Sequence, residues 1–104
     1  EKALQAAGMA ITLVMRVPAP LKSIADQAIR SASSDPANIA EGHGRVGRDR
    51  SNHWRIAYAS AMEVECHLTL LVHAGAISRT GARDAMQGFD EVRAMTWRLL
   101  NPTS

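Results

Sequence analysis

The sequence predicts an all-α protein: an antiparallel, up-down four-helix bundle formed by a single domain of 104 residues. Apolar residues recur at three- and four-residue steps through four long segments. β-branched residues are few and never alternate with polar ones, so no strand signal is present. The breaks between segments are short and hold proline or glycine, which favours antiparallel neighbours. The hydrophobic fraction is 46%, yet Trp54, Trp97, Tyr58 and Phe89 are the only aromatic residues. The core must therefore be aliphatic and rich in alanine, the strongest helix former. A chain of this size is marginal as an isolated domain and gains from association.

Lys2 to Val17 reads as the first helix, with Leu4, Ala7, Ile11, Val14 and Met15 as its main stripe. Ala6, Met9, Ala10 and Leu13 form a second apolar flank, enough for the bundle and a neighbouring subunit. Gly8 weakens the helix by about 1 kcal/mol relative to alanine and suggests close helix approach. Pro18 and Pro20 end this segment, because proline cannot continue the hydrogen-bond ladder. The second helix starts near Leu21, with Ala25, Ala28 and Ala32 inward. The phase survives Pro36, since Ala32, Pro36, Ile39 and His43 keep helical steps. One long helix kinked at Pro36 is expected, with Ser33 and Ser34 bonding to freed carbonyls. The other reading is two helices, the second capped by Ser34 or Asp35.

Gly42, Gly44 and Gly47 break the second helix, and Asp49 or Ser51 is the expected cap of the third. The third helix runs from about Arg50 to His73. Its inner face is Trp54, Ala57, Tyr58, Ala61, Val64, Leu68, Leu71 and Val72. Gly75 fits a C-terminal cap, and Ser78 or Thr80 caps a fourth helix reaching about Leu100. Ala82, Ala85, Met86, Phe89, Val92, Thr96 and Leu99 line that helix, and Pro102 stops it.

The run from Ser34 to Arg45 is the most particular part of the chain. Ser-x-Pro-Ala-Asn-Ile-Ala-Glu-Gly-x-Gly-Arg resembles the signature of the bacterial four-helix-bundle protein family. That family is also called the intervening-sequence or S23 family, after insertions in 23S ribosomal RNA genes. The likeness extends upstream through Leu21, Ala25, Gln27 and Arg30, and downstream through Ile56, Ala57, Ser60, Glu63, Glu65 and Leu68 to the Gly75 turn. It implies an antiparallel four-helix bundle, often a ring-shaped homopentamer, and no enzymatic activity. It also implies a distant relation to the accessory variability determinant of retroelements, a basic pentamer that binds nucleic acid and a reverse transcriptase. Asp35 departs from the pattern where an apolar residue is expected, and His43 where an aromatic one is common. The net charge is also lower than in the retroelement branch.

Asn38, Glu41 and Arg45 share one helical face, and Ser60 and Glu63 share another. Antiparallel packing would join them in a polar network, with Arg45 neutralising Glu41 or Glu63; a small ligand pocket is the other reading. A buried carboxylate needs such a partner. The net charge is +2, and its placement is uneven. Residues 45–55 hold four of the twelve basic residues (Arg45, Arg48, Arg50 and Arg55) and one of the ten acidic ones, a local +3. The remaining eight basic and nine acidic residues leave −1. Arg45, Arg48, Arg50 and Arg55 are the candidate nucleic-acid contacts, and a ring would repeat them on every subunit. The other reading of this segment is a solvated turn with intersubunit ion pairs.

Metal, cofactor and nucleophile signals are weak. Glu63 is followed at the di-iron spacing by Cys66 instead of histidine, and a single cysteine is too few for a Cys/His zinc site. Gly42-x-Gly44-x-x-Gly47 lacks the preceding strand that a dinucleotide fingerprint needs. Neither a membrane span nor a signal peptide is expected in these residues. The lone Cys66 fits a reducing, cytoplasmic location. The expected function is a ring-forming assembly or adaptor protein engaging nucleic acid, or an enzyme such as a reverse transcriptase. An oligomeric scaffold with no nucleic-acid role comes second. An enzyme reading would need a solvent-reachable pocket holding Glu41 and Glu63.

Overall fold

Proline and glycine divide the chain where its helices must stop. The computed structural model describes residues 1–102. They form α1 (Lys2–Val14), α2 (Lys22–His43), α3 (Gly47–His73) and α4 (Arg79–Leu100). α1 ends three residues before the expected Val17. A 3-10 turn at Ala19–Leu21 follows, with Pro20 inside it and the Leu21 N–H donating to the Pro18 carbonyl at 2.9 Å.

α2 passes through Pro36 as one helix. The break before Pro36, with Ser34 or Asp35 as cap, does not occur. The Ser33 hydroxyl donates to the Arg30 carbonyl at 3.1 Å. The Ser34 hydroxyl instead accepts hydrogen bonds from Asn38 and Ser60. α3 starts at Gly47, ahead of the expected Arg50. Its cap residue is Val46, which contributes no side-chain hydrogen bond. Asp49 falls in the first helical turn, where a negative charge suits the helix dipole. The α3–α4 turn closes as a Schellman motif. Ala76 N–H donates to Leu71 O and Gly75 N–H to Val72 O, with Gly75 at φ +75°. Ser78 caps α4, its hydroxyl accepting from Gly81 N–H at 2.8 Å.

Contacts run in opposite directions along neighbouring helices. On α1 and α4, Lys2 meets Glu91, Ala6 lies against Gly88 and Leu13 lies near Gly81. On α2 and α3, Ser34 meets Ser60 and Asn38 meets His53. On α3 and α4, Tyr58 meets Trp97, Glu65 meets Arg93 and Thr69 meets Met86.

Phe89, Leu68, Leu71, Val64 and Val92 fill the core, surrounded by alanines from all four helices. Each large apolar side chain contributes roughly 1.5–3 kcal/mol by leaving water. α1 meets the expected stripe only in part. Its buried residues are Ala3, Ala6, Ala7, Ala10 and Val14, and Ile11 and Leu13 pack against the core, while Leu4 is 62% and Met15 71% exposed. The small side chains let α1 approach its neighbours closely. Gly8 does not sit at a helix crossing: no other side chain comes within 4 Å of where its Cβ would be.

Candidate functional site

The Ser34–Arg45 motif closes the seam between α2 and α3. Asn38 is its centre. Its amide nitrogen donates to the Ser34 carbonyl at 2.9 Å and to the Ser34 hydroxyl at 3.0 Å. Its amide oxygen lies 2.9 Å from His53 Nδ1, a bond made when that nitrogen carries its proton. Ser60 donates to the same Ser34 hydroxyl at 3.1 Å. Ser60 is 4% exposed, so this bond satisfies a group with almost no access to water.

Trp54 seals the seam next to the turn. It is 7% exposed, and its indole lies where a side chain at position 42 would be. Gly42 is therefore required for close approach of the α2 backbone to the ring. The indole N–H donates to the Ile39 carbonyl at 3.4 Å. His43 meets the ring edge-on at 5.4 Å, and the Arg50 guanidinium lies over the ring, also at 5.4 Å. His43 thus makes an aromatic contact at the position where the resemblance led one to expect an aromatic residue.

The four arginines have different positions. Arg50 donates to the Gly42 carbonyl at 2.9 Å and the His43 carbonyl at 3.3 Å, supplying donors to the open end of α2. Arg45 bridges Glu41 at 3.1 Å and Asp49 at 2.9 Å, and these partners hold its guanidinium above the usual range. Arg48 and Arg55 are exposed, with no ion pair or hydrogen bond among the described residues.

The expected polar network is thus divided. Asn38 and Ser60 belong to the seam together with Ser34 and His53. Glu41 and Arg45 form a surface pair, with the Glu41 side chain 56% exposed. Glu63 is also exposed, on a groove of about 310 Å³ with Arg30, Ser31, Ser60 and His67. Glu41 lies outside that groove. The two carboxylates therefore share no pocket, because Glu41 points off the α2–α3 contact toward the turn.

The buried carboxylate is Asp35. It is 0% exposed, and neither oxygen has a hydrogen-bond partner among the described residues. Burial alone pushes its carboxyl up to about 7. The departure from an apolar residue at this position was the signal in the sequence. Glu65 is a milder case, raised by burial and drawn back by Arg93, whose Nη1 lies 3.6 Å from Oε2.

A wider groove of about 810 Å³ runs between α1 and α2. Leu4, Ala7, Gly8, Ile11, Pro36, Ile39 and Ala40 make it mostly apolar. Among the described residues, no group of three or more His, Cys, Asp or Glu could hold a metal ion. Cys66 is exposed, and no described helix is long and apolar enough to cross a membrane.

This four-helix architecture, with its motif sealing the second and third helices, defines a helical-bundle protein whose marked features are packing devices. The chain belongs to the 23S rRNA-intervening sequence protein family, whose model matches residues 1–98. It is similar to a crystal structure from Bacteroides thetaiotaomicron VPI-5482, described as a protein with unknown function from the S23 ribosomal protein family. The two share 25% sequence identity over 95% of this chain and 94% of the other, with a TM-score of 0.83. No curated protein matches the chain. Neither likeness points to an enzyme family.

Proposed function

We propose that this chain is a non-enzymatic, self-assembling adaptor that engages nucleic acid, or an enzyme acting on it such as a reverse transcriptase, near the α2–α3 turn. The observation that carries this reading is the position of Arg48 and Arg55. Both are exposed and have no carboxylate partner among the described residues, whereas Arg45 is paired with Glu41 and Asp49 at the surface and Arg50 is bonded to the end of α2. Cations left free in this way suit phosphate, and binding through them falls as salt rises. Self-association is supported by Leu4, exposed on α1 and lining the apolar groove, and by Met9, exposed on the same helix. A homopentameric ring would repeat the two arginines five times, which suits a ligand held by several weak contacts.

A scaffold with no nucleic-acid role is the second reading. Arg45 favours it, because Glu41 and Asp49 cancel part of the turn's charge. Light scattering after size exclusion, with and without a short RNA at low and high salt, separates the two. The adaptor reading expects a pentamer that retains RNA only at low salt. A pentamer indifferent to RNA leaves the scaffold, and a monomer removes the ring.

A further inference from the structure

Trp97 is a large apolar side chain left open at the α3–α4 seam. It is 53% exposed, although the core beneath it is closed. Its ring leans on Tyr58, with centroids 6.2 Å apart and planes at 47°. One part of the indole is thereby supported by α3, while more than half of the residue faces solvent. An aromatic face held in this way can accept a second flat ring with little further loss of side-chain freedom.

The surroundings determine what kind of ring it suits. Arg48, Arg55, Tyr58 and Met62 lie on one stripe of α3, at steps of seven, three and four residues. The helical rise separates Arg48 from Arg55 by about 10 Å along the axis, and Arg55 from Tyr58 by about 4.5 Å. Both arginines are exposed and unpaired among the described residues, and Met62 is 48% exposed. Farther along the seam, Glu65 and Asp90 lie within ion-pair distance of Arg93, at 3.6 and 2.7 Å. The open end of the seam therefore presents an aromatic platform followed by two free cations.

From this arrangement we infer that Tyr58 and Trp97 form a stacking platform for an unpaired nucleobase, with Arg55 and Arg48 receiving the phosphates of the same strand. The ligand class is single-stranded nucleic acid, because bases in a duplex are already stacked and cannot lie on the indole. This inference rests on the nucleic-acid reading above and narrows it to one face of α3 and α4. Trp54 is excluded from the stacking role, since it is 7% exposed and enclosed by Gly42, His43 and Arg50.

The test is fluorescence anisotropy of a labelled oligouridine at low salt. Its duplex with oligoadenosine and an abasic strand of equal phosphate count are titrated alongside it. The proteins are the full chain, Trp97→Ala, Trp97→Phe and the double variant Arg48→Glu/Arg55→Glu, each checked by thermal melting and light scattering. Trp97→Ala is expected to weaken oligouridine binding by about 5- to 150-fold, the range for loss of one stacked base. Trp97→Phe keeps most of the affinity, and the abasic strand does not distinguish wild type from Trp97→Ala. Wild-type binding with no loss in Trp97→Ala overturns the platform but leaves the nucleic-acid reading standing. No oligouridine binding by wild type overturns both. If Trp97→Ala dissociates the assembly, Trp97 belongs to a contact between copies, and the platform is overturned.

Discussion

The two sides of the α2–α3 arm treat their polar groups differently. On the inner side, Asn38, Ser34, Ser60 and His53 bond to one another, and Arg50 returns two donors to the end of α2. On the outer side, Arg48 and Arg55 have no partner among the described residues, and the ion pairs of Arg45 are open to water. A hydrogen bond counts most where water cannot replace it. The signature motif therefore acts mainly as a packing device, and the outward residues remain available for partners. Asp35 is the exception on the inner side, being buried without a partner.

Trp54→Ala should produce the largest effect. It empties the space facing Gly42, and aromatic truncations of this kind cost about 3–5 kcal/mol. Chemical denaturation measures the loss; a cost below about 1 kcal/mol would mean that the seam is not held by its aromatic seal.

Asp35 should give a pH-dependent effect of similar size. Its carboxyl titrates at 3.8 when unfolded and at about 7 in the fold. Between those values the folded chain keeps a proton that the unfolded chain has lost. Stability therefore falls as pH rises from about 4 to about 7 and is level beyond, a total of about 4 kcal/mol. Asp35→Asn removes this dependence. The difference between wild type and variant, measured by denaturation across that range, should grow with pH in favour of the variant. A flat difference would mean that Asp35 has a partner or reaches water.

Asn38→Ala should cost about 1–3 kcal/mol, because it removes the donor to Ser34 and leaves His53 without its acceptor. Glu41→Ala should leave the melting temperature almost unchanged, since the ion pair it removes is exposed. A large drop would place Glu41 in an inner network after all.

Much of this division was legible in the sequence. Helical periodicity located four helices, the survival of phase through Pro36 pointed to a single α2, and the phase of Trp54 indicated burial. The unexpected residue at Asp35 stood out against the family pattern. Side-chain direction was less legible. Glu41 and Glu63 have the right spacing for inward faces, but a shift of part of a turn carries both to the rim. On α1, two neighbouring stripes have the same period, and hydrophobicity favours leucine over alanine. Close packing against α4, where Ala6 lies beside Gly88, brings alanines of both stripes inward together with Val14, and leaves Leu4 outside. The start of α3 was missed because Gly47, at φ +60°, allows the turn without a polar cap.

The most direct measurement is RNA affinity at low salt, read by anisotropy, for Arg48→Glu/Arg55→Glu against wild type, with a melt of each protein. The expected result is an unchanged melt and abolished binding, because both side chains point outward and hold nothing in the fold. Undiminished binding with the same melt would contradict the claim that the free arginines are where this bundle meets nucleic acid.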